Sequence, residues 1–346
     1  GLYIHQFSRI TMSQIYKNNL GGGGGIVTSV EGTAPIEVNG VSGVPQTGAV
    51  VISDVGVDLH AARYIVSAGG SADGANYTTL AAAYAAAVAA GAPQTVFVQP
   101  GIYTEDINLT AGINITSFSG DAFSPAVKII GKLSASYSGD VTISGIQLQT
   151  NNDFAVQVTG SNSTQLFLKD CWLSVANHTF MSLTSTGSSS IQIFECFGDT
   201  LTTGIAYFSV TNSVLRIIDC FFLNDAGSST ASTISGGTLD LFCTEFNNSI
   251  TASGASNVGI ESSSINGATL TLNNTGSNSL VRVTIDNSTP SALIIGAGAT
   301  VTTTDMTISS SNTNAIAGSG TLDTTPISFI GTSSTIQGTL TVNSLP

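Results

Sequence analysis

The sequence is short of charge. Of its 346 residues only 8% are Asp, Glu, Lys or Arg, and 8 basic residues stand against 21 acidic ones, for a formal net charge of −13. So few cations argue against a nucleic-acid partner and against docking to an anionic membrane, because nothing would draw in a phosphate backbone or an anionic headgroup. Four cysteines are too few for a disulfide scaffold. The three histidines, His5, His60 and His178, lie in separate regions, so their spacing offers neither a metal cluster nor a Ser–His pair. No metal or cofactor is expected. No segment approaches the roughly 20 apolar residues that cross a bilayer, and the alanine-rich stretch 80–92 is too short and too small in side chain. The first twenty residues lack the basic-then-apolar layout of a signal peptide. Met12 has the character of a start residue and Gly1 does not, so residues 1–11 are expected to be an upstream or processed remnant.

What the chain does have is a repeat. The pattern apolar-x-apolar-x-x-apolar-x-apolar occurs at Val141, Ile143, Ile146, Leu148, then at Leu166, Leu168, Cys171, Leu173, then at Ile191, Ile193, Cys196. It returns at Leu215, Ile217, Cys220, Phe222 and at Leu239, Leu241, Phe246. Weaker copies start at Val258, Val301 and Ile327, the last with Phe329. The first six starts are spaced by 25, 25, 24, 24 and 19 residues. A fixed period in this range marks a solenoid, whose units bury their apolar faces against one another. Alternation with a period of two makes the units strands. A second alternating set lies between the copies, at Phe154-Val156-Val158, Ile205-Tyr207-Ser209, Leu270-Leu272, Leu293-Ile295 and Ile336-Leu340-Val342, separated from the first by Gly, Asn, Ser and Thr turns. Short strands in coils of about 19–25 residues describe a parallel β-helix. A leucine-rich repeat would need an asparagine signature that is missing, and a β-sandwich would not hold so even a register.

Ahead of the coils the chain divides further. Residues 1–60 read as an N-terminal attachment or shaft segment with a glycine linker at 21–25, and 61–106 as a cap with a helix at about 79–90. Thr78 or Thr79 is the N-cap candidate, and Gly91 and Pro93 stop the helix. Residues 107–346 are the β-helix, with nine or ten coils expected.

The cap carries a resemblance. Arg63-Tyr64-Ile65-Val66, then Ala72-Asp73-Gly74-Ala75-Asn76-Tyr77-Thr78-Thr79-Leu80, then Thr95-Val96-Phe97-Val98-Gln99-Pro100-Gly101-Ile102-Tyr103-Thr104-Glu105 resembles the opening segment of pectate-lyase-like right-handed β-helices. In that superfamily a DG loop and one short helix close the first coil, and a PGxYxE turn leads into the stack. The stretch from Ile26 to Ile36 resembles short N-terminal segments of viral and phage fibre proteins. The resemblance therefore implies an all-β, right-handed parallel β-helix solenoid of the fibre or tailspike type, in which parallel homotrimers are usual. It does not choose between lyase, hydrolase, adhesin and inert spacer.

Two constellations could carry function. Asp170, Glu195 and Asp219 occupy the same position of three successive repeats, so stacking would place neighbours about 5 Å and the outer pair about 10 Å apart. Those separations bracket the ones used by retaining and inverting glycosidases, and close like charges would raise one pKa toward that of a general acid. Lys169 and Arg216 lie nearby, which also admits a lyase-like arrangement. The blander reading is an exposed turn column, and it is favoured because no second set of polar catalytic groups surrounds the acids. The second constellation is apolar. If Leu166, Ile191 and Leu215 point inward, then Trp172, Phe197, Phe221, Phe194, Ile218 and Phe242 point outward. So contiguous a patch is rarely left exposed on a monomer. An intersubunit face is expected, with sugar stacking and a locally inverted phase as alternatives. Cys171, Cys196 and Cys220 should stack inward, as buried free thiols rather than as a disulfide.

The function expected is that of a structural surface or virion fibre with an adhesive role, contacting a glycan-bearing host or matrix, and a catalytic role is not favoured. Alternatives are a tailspike-type polysaccharide depolymerase using Asp170, Glu195 and Asp219, and a secreted non-viral adhesin or filament subunit. The partner expected is the chain itself, with no membrane insertion, at a virion surface or outside the cell.

Overall fold

A computed structural model describes residues 64–344 apart from 69–76, 92–93, 118–124, 151–152, 187, 202–204, 224–229, 287–290, 310–314, 326 and 331–335, together with two earlier strands, Ile36–Val38 and Ile52–Asp54. The chain divides into units 1–62 and 63–346. In the first, the two strands pair antiparallel with Ile36 opposite Asp54. The glycine linker 21–25, Met12, His5, His60 and the Asp73-Gly74 turn lie outside the described residues.

The second unit is a right-handed parallel β-helix. Each coil visits three faces. In one coil, Val156–Gly160 lies on face B, Thr164–Lys169 on face A and Trp172–Val175 on face C. Face C is an eleven-stranded sheet from Gly101–Thr104 to Ser328–Ile330. Faces A and B join in a 21-stranded sheet, because Phe208–Ile218, Ser232–Phe242 and Ile250–Glu261 each run through both. Coils pair in register: Val141, Leu166, Ile191, Leu215, Leu239 and Val258 are successive partners on face A. All six are buried, as are Ile143, Leu168, Ile193, Ile217 and Leu241.

The gap in the repeat is the corner between faces A and C. One residue there adopts the left-handed conformation in every coil from Gly145 through Asp170, Glu195, Asp219, Cys243, Ser262 and Arg282 to Asp305, with φ between 49° and 68°. That residue breaks the alternation by one step, so the next side chain points inward again. The inward column that results is Ile146, Cys171, Cys196, Cys220, Thr244, Ser263, Val283 and Met306, all buried. Its thiols and hydroxyls close the corner. Cys171, Cys196 and Cys220 donate from Sγ to the carbonyls of Lys169, Phe194 and Ile218 at 3.1–3.2 Å, and Thr244 and Ser263 do the same to Phe242 and Glu261 at 3.0 and 2.7 Å. The backbone N–H groups of Cys171 and Cys196 donate in turn to the sulfur one coil on. The three cysteines are free thiols, and burial, followed by the hydrogen bonds from its two neighbours, pushes the Cys196 thiol far above its ordinary pKa.

Helix α1, Leu80–Ala90, closes the first coil. Thr79 is its N-cap and accepts from the Ala82 N–H at 3.3 Å, while Gly91 ends it at φ 87°. The Glu105 carboxylate accepts from the N–H groups of Leu80 and Ala81 at 2.9 and 2.8 Å, which satisfies two orphan donors and sets a negative charge at the positive end of the helix dipole. The Tyr103 hydroxyl donates to the Gln99 carbonyl at 2.8 Å and accepts from the Ala68 N–H. The tyrosine and glutamate of the PGxYxE turn thus act as fasteners. The segment 61–106 also supplies rungs of its own, since face A extends back through Gln94–Val98 to Ile65–Val66.

Two details of the expected core differ. On face B the partner of Met181 is Phe208, so Phe208 and Val210 point inward and Ser209 outward. The adjacent aromatics Tyr207 and Phe208 hide this phase, because Tyr207 is also buried, edge-on to Phe222 at 4.9 Å. Phe329 holds the inward register of face C, paired with Ile308, yet is 37% exposed because it lies on the final rung of that face.

Candidate functional site

Both candidate constellations fall on the edge where face A turns into face C. Asp170, Glu195 and Asp219 are corner residues, Glu195 and Asp219 exposed and Asp170 half-buried. Their backbone conformation explains part of the choice. A short side chain such as Asp tolerates the left-handed region through local hydrogen bonds, whereas Glu195 and Arg282 in the same column show that position rather than chemistry imposes it. The stacked rungs space the column at about 4.8 Å. Lys169 Nζ stands 3.7 Å from Glu195 Oε2, with both side chains more than half exposed, so the pair contributes little. Arg216 meets Asp240, its register partner one coil on, at 3.0 Å. Among the described residues, no three His, Cys, Asp or Glu side chains lie close enough together to hold a metal ion.

The apolar residues form two ladders that flank this column. Phe194, Ile218 and Phe242 are consecutive partners at the end of face A, and Trp172, Phe197 and Phe221 at the start of face C. All six point outward. Phe242 is 41% exposed and the other five are half-buried. Trp172 meets Phe197 edge-on at 5.1 Å, Phe197 stacks on Phe221 at 6.0 Å, and Phe194 stacks on Phe167 at 6.4 Å. The tryptophan is held from behind: its indole N–H donates to Asp199 Oδ1 at 2.9 Å.

Asp199 is a residue that alternation misplaces. It occupies an outward position of face C beside Ser174, yet both are buried, Asp199 at 6% exposure. No pattern in the sequence marks this. Its partner there, the Trp172 indole, comes from 27 residues earlier in the chain, a contact that periodicity does not report.

Higher on the same edge the chemistry changes. Cys243, Glu245, Ser262, Ser264, Arg282 and Thr284 border an open hollow. Arg282 donates to Ser262 Oγ at 3.0 Å and pairs with Glu261, and Asn266 donates to Glu245 at 2.8 Å. His178 is remote in role: half-buried, it packs edge-on against Phe154 at 4.4 Å. Among the described residues, no helix is long and apolar enough to cross a membrane.

No protein-family model matches the sequence, and no curated protein does. Among solved structures the chain is similar to tailspike protein 3 of bacteriophage CBA120, with 13% identity and a TM-score of 0.36 over 89% of this chain. It spans 63% of that tailspike's length. It is also similar to the Agl-KA catalytic domain, with 11% identity and a TM-score of 0.32, covering 88% of this chain and 70% of that one. At these identities no residue role carries across.

Proposed function

We propose that this chain is a structural fibre protein of a virion or other biological surface, built to associate with copies of itself along the A–C edge as a parallel homotrimer and to adhere to a host or matrix glycan. The observation that supports this reading is the pair of outward apolar ladders. They run parallel to the solenoid axis with one residue per rung, and a second copy presents the same side chains at the same pitch of about 4.8 Å. Burying aromatic side chains in this way is the common source of interface energy.

The test is sedimentation velocity on the chain carrying Trp172→Ser and Phe221→Ser. Association should weaken while the β-sheet circular dichroism remains, since both side chains point outward. Loss of the β signal together with assembly would instead make them core. The depolymerase alternative is tested separately, by oligosaccharide release from a panel of host polysaccharides. Release that disappears in Asp170→Asn, Glu195→Gln or Asp219→Asn would replace the structural reading with an enzymatic one.

A further inference from the structure

Three thiols stand in the interior of the lower coils, and neither the fibre reading nor the depolymerase alternative uses them. Cys171, Cys196 and Cys220 hold the same inward corner position on consecutive rungs, at 0%, 3% and 4% exposure. Packing does not require sulfur there. On the next two rungs Thr244 and Ser263 fill the position and close the corner with hydroxyls. What sulfur adds is a soft, polarisable donor. The Cys171 N–H already donates to Cys196 Sγ at 3.3 Å, and the Cys196 N–H to Cys220 Sγ at 3.4 Å. N–H groups directed at sulfur stabilise a metal-bound thiolate. The pair Cys196–Cys220 receives both of these donors, whereas the pair Cys171–Cys196 receives one of them.

We propose that Cys196 and Cys220 form a two-coordinate site for one soft monovalent cation of the copper(I) or silver(I) kind, bound between their sulfurs along the solenoid axis. Rungs repeat at about 4.8 Å, and two metal–sulfur bonds of about 2.3 Å laid end to end span nearly that distance. The ion therefore enters without moving the backbone, whereas a disulfide would have to draw the same sulfurs to about 2 Å. A tetrahedral ion such as zinc does not fit, because among the described residues no three His, Cys, Asp or Glu side chains come close enough together. The charges balance in the dry interior. The cation displaces one thiol proton, which in the metal-free chain is donated to the Phe194 or Ile218 carbonyl. The second thiol binds as a neutral ligand, so the buried group carries no net charge.

The experiment uses the full chain carrying Cys243→Ser, which removes the exposed thiol as a competitor. Copper(I) is supplied without oxygen during refolding from urea, because the sulfurs are shielded in the folded chain. Affinity is read by competition with the chelator bathocuproine disulfonate. One ion per chain is expected, with a higher thermal midpoint than that of the metal-free chain. In this background Cys196→Ser should abolish binding, and Cys220→Ser should weaken it at least about tenfold. Cys171→Ser keeps both sulfurs and both N–H donors, and should weaken binding less than Cys220→Ser does. Serine already serves at this corner as Ser263, so each variant should keep the β-sheet circular dichroism. Copper retained by Cys196→Ser, or none bound by the parent, overturns the site. A loss in Cys171→Ser at least as large as that in Cys220→Ser overturns the choice of pair. If Cys196→Ser does not fold, the comparison of Cys220→Ser with Cys171→Ser decides alone.

Discussion

Between Val141 and Leu239, register partners on face A follow one another after 25, 25, 24 and 24 residues, and from Leu239 to Val342 after 19, 20, 23, 21 and 20. The A-to-C corner is the same length in both regions, six residues from Leu166 to Trp172 and from Val258 to Ser264. The longer coils spend their extra residues on the other two connections: nine residues against six from Trp172 to Met181 and from Ser264 to Leu270, and ten against eight from Met181 to Ile191 and from Leu270 to Asn278. Outside, the lower coils carry the aromatic ladders and the acid column, while the upper coils present Ser264, Thr284, Thr302 and Thr307. Inside, the two regions converge on the same inward columns. Polar groups that the upper coils admit find partners through their donors: Asn278 donates to the Thr300 carbonyl at 2.9 Å, and the Thr303 and Thr324 hydroxyls meet at 2.6 Å. Asn274 Nδ2 donates to the Ser256 carbonyl at 2.7 Å, while the buried Asn274 Oδ1 has no hydrogen-bond partner. The difference teaches that stacking constrains the interior and the corner conformation, and leaves the exterior free. An exterior that departs from short polar residues over consecutive rungs is where function is to be sought.

The comparison can be broken most severely from the inside. Leu168→Asp in the lower coils and Leu280→Asp in the upper coils should both prevent folding, because an unpaired buried charge costs several kcal/mol. Circular dichroism checks this, and survival of either variant would show that its region does not share the common core.

A smaller effect separates the regions. Gly198 is an inward position of face C, and a Cβ there would lie 2.3 Å from Phe222 Cδ1 and 3.1 Å from the Tyr207 ring. Gly198→Ala should destabilise by about 1–3 kcal/mol through overpacking, and adding Phe222→Leu should recover part of the loss in urea denaturation. The corner column gives a finer test. Cys196→Ala removes the acceptor of the Cys171 N–H and should cost about 1 kcal/mol or more. Cys196→Ser should be nearly neutral, since Ser263 already fills that role in the upper coils.

The smallest effect is on the surface. The hydrogen bond from Lys132 Nζ at 2.6 Å, and then the Phe154 N–H, hold the Asp153 carboxyl below its ordinary pKa of 3.8. A carboxyl with a depressed folded pKa stabilises the fold above its unfolded value, and this contribution is lost as pH falls below 3.8 through the folded value. With Asp153 half exposed, the loss should be under about 1 kcal/mol after solvent screening. Urea midpoints on either side of that window should differ less in Lys132→Met than in the unaltered chain.

The strand positions, the inward register of face A, the cysteine ladder and the helix with its Thr79 cap were all legible in the chain, because each is a local consequence of side-chain period or capping chemistry. The two-residue gap in the repeat was visible as a spacing, and its cause was not, since a left-handed residue can be Gly145, Asp170, Glu195 or Cys243 and carries no single letter. The same blindness made the acids look like a chosen constellation. Their alignment follows from a corner that every coil must turn, and the chain's own chemistry decides only which side chain fills it.

Periodicity by itself therefore determined that this protein is a solenoid and which residues line its interior, because a period of two with a fixed repeat leaves few other ways to bury the apolar side. Tertiary structure alone decided that Asp199 lies buried behind Trp172, that Ser209 faces out beside two buried aromatics, and that Glu105 caps a helix 24 and 25 residues earlier in the chain. Those contacts join residues far apart in sequence, and no local pattern encodes which distant backbone or ring will arrive beside them.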